Sequence, residues 1–204
     1  MTAARGGAAS GIRRLLVALA VCGAVPVLAA YADHGPLSDL DRRVFAAVRA
    51  RRGPAVVRVA RIVSALAEPH VAYPVLALAG TRAARRGAWW QAAAPCLVVA
   101  GGAAARRRLS RVIARQRPPE EAWLAEPEGF SLPSKHTTLA ALTVGVTLRG
   151  LGVRGAPVHA GTLLAATGVG TSRVCLGVHW PADVVAGWLF AVGWLHLTDP
   201  AHQP

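Results

Sequence analysis

The sequence predicts an all-α fold, a polytopic membrane helical bundle of about six transmembrane helices. Three observations predict it. The 204-residue chain is 53% hydrophobic, with mean hydropathy +0.39, yet its formal net charge is +13. Its apolar stretches are long and lack the period-two alternation of half-buried strands. Its basic residues, 22 Arg and one Lys (Lys135), flank those stretches instead of gathering on one face with interleaved aromatics. No nucleic-acid partner is therefore expected. The composition also excludes a disordered tail, a coiled coil and a disulfide scaffold. With no composition break or linker, residues 1–204 read as a single integral-membrane domain.

The first span, Leu15–Ala32, is uncharged and follows Arg13 and Arg14. Ala30-Tyr31-Ala32 before Asp33 also fits a secretory signal with its cleavage site, so residues 1–32 have two readings, a retained helix or a removed leader. The polar segment His34–Arg52 places Leu40, Val44 and Val48 four residues apart, which predicts an amphipathic helix lying in the interface. Ile62–Gly80 is the second span, apolar apart from Glu68 and His70. Gly87–Ala105 is the third, opening on Trp89 and Trp90 at the level of an aromatic belt. Arg106–Pro133 is polar and rich in Arg, Pro and Glu. The fourth to sixth spans are Thr137–Val153, Gly155–Ser172 and Trp180–Thr198. Cys22, Cys96 and Cys175 are far apart and in apolar surroundings, with no C-x-x-C pair, so neither a zinc site nor a disulfide is expected.

Polar groups at the edges of apolar spans are costly to bury, so they are the informative ones. They fall in three clusters. Ser110 to Pro118 leaves the third span; Pro118 is expected to stop the helix and hold Arg117 at its mouth, where a guanidinium grips phosphate oxygens bidentately. Phe130 to Thr138 enters the fourth span; Ser134 suits an N-cap, whose helix N-terminus attracts anions, and His136 in the first turn suits proton donation. Ser172 to Asp183 joins the last two spans, and Pro181 suits a first helical position. His179 and Asp183 lie one helical turn apart, so the carboxylate fixes one imidazole nitrogen and frees the other as nucleophile or base. Asp183 is the only carboxylate between Glu128 and Asp199, and an unpaired acid there would be expensive, so it must have a partner.

Together these segments resemble the type-2 phosphatidic acid phosphatase superfamily, the lipid phosphate phosphatases, whose fold is shared with vanadium haloperoxidases. The family pattern is K-x6-R-P, then P-S-G-H, then S-R-x5-H-x3-D. The third motif is complete at Ser172, Arg173, His179 and Asp183. The second matches at Pro133, Ser134 and His136, and the first at Arg117 and Pro118. The order of the motifs and their places at span ends also match the six-helix membrane branch. The resemblance implies a phosphatidic acid phosphatase/haloperoxidase-like core and a phosphatase needing no metal and no cofactor. It implies that His179 is the nucleophile and becomes a phosphohistidine, that Asp183 orients it, and that His136 protonates the leaving lipid oxygen. Arg117, Arg173 and Ser134 would hold the phosphate oxygens, the positioning and charge stabilisation on which phosphoryl transfer depends.

Two family positions are altered: Ser110 stands in place of the leading Lys, and Lys135 in place of the Gly. Lys135 is one candidate for the missing ammonium; Arg111, or Arg107 one turn earlier, is the other. Sidedness also has two readings. With a cytoplasmic N-terminus all three motifs face outward, as the resemblance implies, yet only 8 of the 23 basic residues then face inward, against the positive-inside rule. The sequence-based expectation is thus a lipid phosphatase of a bacterial plasma membrane with its site on the outer face. Its substrate is a lipid phosphate or diphosphate of the isoprenoid or glycerolipid class, and its partners are that substrate and the lipid bilayer. The Ala- and Arg-rich composition favours an isoprenoid role in the cell envelope. The alternatives are a non-catalytic membrane protein that binds lipid phosphates or assembles with partners, and a soluble acid phosphatase or haloperoxidase.

Overall fold

The structure, a computed structural model, describes residues 2–85 and 89–198. Gly87 and the side chains of Trp89 and Trp90, part of the expected aromatic belt, lie outside the described residues. The described residues form α-helices joined by loops and one short 3-10 turn, with no strands among them. In chain order the helices are α1 (Thr2–His34), α2 (Pro36–Ala50), α3 (Pro54–Ala65), α4 (Pro69–Ala84), α5 (Trp89–Ile113), α6 (Lys135–Gly150), α7 (Ala156–Cys175) and α8 (Pro181–Leu197). Four of them open on a proline, Pro36, Pro54, Pro69 and Pro181, whose fixed φ and missing N–H suit the first helical position.

Central α6 packs against α4, α5, α7 and α8, while α1 lies along α8 and α3 along α7. The largest apolar cluster joins Leu76 of α4, Val99 of α5, Leu139, Leu142 and Val146 of α6, Ala166 of α7 and Leu195 of α8. A second joins Val25 and Ala29 of α1 to Ala186 and Phe190 of α8. Helix α1 runs unbroken through Ala30-Tyr31-Ala32, with Ala29 and Ala32 buried against the bundle. Outward-facing aliphatics, among them Leu16, Leu19, Ile62, Leu78, Leu97 and Leu164, surround the bundle with apolar surface suited to lipid.

Three local expectations are corrected. The second span is not one helix: α3 and α4 meet at a bend of 47°, because Pro69 cannot donate the hydrogen bond that would continue α3. Segment 34–52 does not simply lie on lipid. Its helix α2 buries Ser38, Asp41 and Phe45 against the bundle. Pro118 does not stop α5, which ends five residues earlier at Ile113, followed by Ala114 in the left-handed region at φ 52°. That residue turns the chain so that Arg115 points into the bundle.

By length and apolarity alone, Leu15–Asp33 suffices to cross a bilayer, and Pro54–Ala65 with Pro69–Thr81 does so as a bent pair. The other helices are diluted by Gly, Ala, Thr and Arg, or are short like α8, which has 17 residues. They take their place by packing against one another.

Just past α7 the chain turns at Gly177, φ +81°, with Gly177 N–H bonded to Val174 O and Val178 N–H to Arg173 O, a Schellman-type terminus. A Cβ at Gly177 would overlap the Ala122 carbonyl. The turn sets the direction of the segment bearing His179. Gly177→Ala should therefore lower stability by about 1–3 kcal/mol, read as a fall in Tm of the detergent-solubilised protein, and an unchanged Tm would contradict this account of the turn.

Candidate active site

Helix ends converge on one end of the bundle, among them the C-termini of α1, α5 and α7, the N-termini of α6 and α8, and the α3–α4 break. The α6 and α8 ends are tied directly, since Ser134 N–H bonds Asp183 O at 3.0 Å and Thr138 Oγ1 donates to Gly187 O at 3.2 Å. Ser134 is the N-cap of α6, as its sequence position predicts, and accepts from Thr137 N–H at 3.5 Å and Thr137 Oγ1 at 3.0 Å.

His179 sits in the short α7–α8 loop, 1% exposed. Its Nδ1 is 3.2 Å from Asp183 Oδ2 and its Nε2 is 3.3 Å from Arg117 Nη1. The guanidinium can only donate, so Nε2 is the bare nitrogen and Nδ1 carries the proton toward Asp183. Asp183 is fully buried, and the partner that its isolation required is present several times over. Oδ2 also accepts from Trp180 N–H at 2.8 Å and from Ser131 Oγ, and Oδ1 accepts from Arg115 Nη1 at 2.6 Å.

Arg117 is held by backbone carbonyls. Nη1 donates to Val178 O at 2.6 Å, Nε to Gly129 O at 2.9 Å, and Nη2 to Glu128 O and Phe130 O at 2.8 and 3.0 Å. Arg173 is buried, its Nη1 donating to Ser64 Oγ at 2.9 Å while its buried Nε has no partner. His136, in the first turn of α6, has Nε2 2.7 Å from Glu68 Oε1 at the α3–α4 break. Lys135 Nζ donates to Glu128 Oε2 at 2.9 Å, and that ammonium holds the Glu128 carboxyl below its usual range.

A cavity of about 60 Å³ brings many of these groups together: Arg117, Lys135, His136, Arg173 and His179, with Glu68, Glu126 and Glu128. Two expected phosphate ligands are not on its lining. Ser134 is fully buried, its hydroxyl engaged in the cap. Arg111 is exposed and lines a neighbouring cleft of about 610 Å³, with Arg106, Arg107, Tyr73, Leu139 and Leu142. Lys135 and Glu128 line both spaces and form the partition between them.

Sequence reasoning missed two residues here. Glu68 stood out only as a carboxylate within an apolar span, which was itself the available signal. Arg115 lies inside the first motif segment, but nothing in its spacing separates it from neighbouring arginines.

Residues 91–203 match the family model of the PAP2 superfamily. The chain belongs to the PAP2 superfamily. Its fold is similar to that of "the first transmembrane PAP2 type phosphatidylglycerolphosphate phosphatase from Bacillus subtilis", a crystal structure, with TM-score 0.76 and 23% identity over 89% of this chain and 93% of that one. No curated protein matches the chain. The family match covers α5 to α8 and all three motifs, whereas the structural match must also include much of α1 to α4. The bundle thus has the fold of that transmembrane PAP2 protein, and its apolar perimeter suits lipid.

In this PAP2 protein burial is the main force on His179, depressing its pKa to about 4; the nearby Arg117 and Arg173 charges add to this and Asp183 opposes it. Depression favours the neutral ring, so His179 should charge only as the pH falls through about 4. The unfolded chain takes up that proton at higher pH, so this residue's contribution to stability should fall on acidification from the ordinary histidine range toward 4. Nitrogen-15 NMR of labelled histidine should show a neutral, Nδ1-protonated His179 at pH 6; an imidazolium there would contradict this geometry.

Proposed function

We propose that this chain is an integral membrane lipid phosphatase that hydrolyses a lipid phosphate or diphosphate through a phosphohistidine on His179. One observation carries the reading. His179 Nε2 is bare, 3.3 Å from Arg117, on a cavity that also holds Arg173 and His136, while Nδ1 is tied to a fully buried carboxylate. Family membership supports the phosphatase class, and the apolar perimeter supports a lipid substrate.

The Nε2 lone pair attacks phosphorus, and the bond from phosphorus to the lipid oxygen breaks. Asp183 stabilises the positive charge that develops on the ring. With its Nε2–H held by Glu68, His136 takes a second proton on Nδ1 when the phosphate binds, gives that proton to the departing oxygen, and then takes one from a water that attacks the phosphohistidine. The N–P bond breaks, inorganic phosphate leaves, and both histidines return to their starting states. Glu68, at 2.7 Å from Nε2, orients the His136 ring. Arg117 and Arg173 neutralise the equatorial oxygens, and Ser134 helps by fixing the α6 N-terminus. Their positive charge makes the reaction independent of a divalent metal.

Lys135 replaces the family's missing lysine at Ser110, turning from Glu128 to the phosphate when substrate arrives; Arg111, on the outer cleft, is the rival donor. We further propose that the site faces the outer side of a bacterial plasma membrane and that the lipid is an isoprenoid of the cell envelope, with glycerolipid phosphates as the competing class. All three motifs share one end of the bundle, the outer end if the N-terminus is cytoplasmic.

Phosphate release by the purified chain across isoprenoid and glycerolipid phosphates, with EDTA present, is the direct test. His179→Ala should lower turnover by about 10³-fold or more, as expected for loss of a covalent nucleophile; turnover surviving that change defeats the phosphohistidine. Glu68→Ala should lower kcat by about tenfold or more, in the range of lost acid–base function, with KM little changed. In a comparison of Lys135→Ala with Arg111→Ala at saturating substrate, the lysine change should be the damaging one. If only the arginine change lowers turnover, the compensation by Lys135 is wrong.

A further inference from the structure

We infer that Arg115 is a positioning residue for His179, acting through Asp183 and anchored by Asp33 and Asp41. Through it the two N-terminal helices, outside the family match, become part of the catalytic unit. The inference rests on the His179 reading above. Arg115 is 4% exposed and engages all three of its nitrogens: Nε with Asp33 Oδ1 at 2.9 Å, Nη1 with Asp183 Oδ1 at 2.6 Å, and Nη2 with Asp41 Oδ2 at 2.7 Å and Ala32 O at 3.1 Å. Protein oxygens take all three nitrogens, and Arg115 lines a separate cleft with Asp33 and Asp41, not the cavity that holds His179. Arg117, two residues on, is the one that reaches that cavity.

The geometry divides the work between the two oxygens of Asp183. Oδ1 is held by Arg115, and Oδ2 is left to His179, Ser131 and Trp180 N–H. A carboxylate fixed at one oxygen cannot rotate, so its second oxygen stays aimed at Nδ1 and keeps the imidazole in the tautomer with Nε2 bare. Asp41 adds a second tie to the same helix end. Its Oδ2 holds Arg115, and its Oδ1 accepts Ala182 N–H at 2.8 Å, beside Asp183. Helices α1 and α2 thereby fix the first turn of α8, and with it the carboxylate that orients the nucleophile.

The test uses the full-length protein in detergent, with an isoprenoid diphosphate and phosphatidate, each in mixed micelles, as the probes. Arg115→Ala and Asp41→Asn should each lower kcat by about tenfold or more with KM within about threefold, as for a group that acts on the chemical step. Combined with Asp183→Asn, each should change the rate by less than about threefold, since a residue acting through Asp183 has nothing left to position. Added guanidinium should restore much of the Arg115→Ala loss, and Arg115→Lys should retain part of the activity. Additive losses on the Asp183→Asn background, or a rise in KM in place of the fall in kcat, overturn the inference. If Arg115→Ala does not fold, the nearly isosteric Asp41→Asn makes the same comparison.

The labelled-histidine NMR signal gives a readout independent of turnover. The Nδ1–H resonance of His179 should shift or broaden in Asp41→Asn and Arg115→Lys, and an unchanged resonance in both overturns the positioning role whatever the substrate. Hydrolysis surviving in His179→Ala overturns the nucleophile reading itself, and the positioning role with it. An inactive His179→Ala beside a fully active Asp41→Asn overturns the positioning role alone.

Discussion

Asp183 is a carboxylate with no exposure, and everything around it is arranged to make that tolerable. A charge taken out of water loses several kcal/mol of hydration, which only good hydrogen bonds and a nearby cation offset. Asp183 receives donors from a backbone amide, a serine, an imidazole and a guanidinium. Removing one partner from a buried pair costs about 3–5 kcal/mol, a large share of a net stability of about 5–15 kcal/mol. The group that orients the proposed nucleophile is therefore also one the fold depends on. Stability and chemistry meet at the same atoms.

The same constraint explains the convergence of helix ends. Helix interiors satisfy their own backbone groups, so only termini and loops offer N–H and C=O groups to a polar site. Here the ends of α1, α5, α6, α7 and α8 supply them together. The loop carbonyls of Glu128, Gly129, Phe130 and Val178 fix Arg117, and the α8 N-terminus fixes Asp183. Two of the cavity's cations are thus held in place, Arg117 by these carbonyls and Arg173 by Ser64, as prepositioned charge must be to stabilise a phosphoryl group. Most of the surplus arginines lie outside it, along helix ends and loops, as expected for charge bordering a bilayer.

Much of this was legible in the chain itself. His179 and Asp183, one turn apart, meet as their spacing requires. Ser134 caps α6 and Pro181 opens α8 as their residue types predict. The isolation of Asp183 correctly demanded a partner, but its identity was hidden, because Arg115 resembles its neighbours until Ala114 turns the chain. The second span failed as one helix because Pro69 outweighed its hydropathy. Glu68, an apparent blemish in that span, sits at the resulting break against His136. Motif position puts Ser134 in the site and the missing lysine makes Arg111 a rival donor, yet Arg111 lines a neighbouring cleft and Ser134 is engaged in its cap.

The sequence by itself determined the helical class, the start of α8 at Pro181, and which residues could carry phosphoryl chemistry. These follow from local rules, namely hydropathy over about twenty residues, spacing of one turn, and the missing N–H of proline. Tertiary structure alone decided that Asp33 and Asp41 share one guanidinium with Asp183, and that Glu68 meets His136 across 68 residues. It also decided that Lys135 forms a partition with Glu128. The physical reason is the same in each case. A buried charge must be matched in space, and the partner is chosen by which helix ends the packing brings together, which no spacing along the chain records.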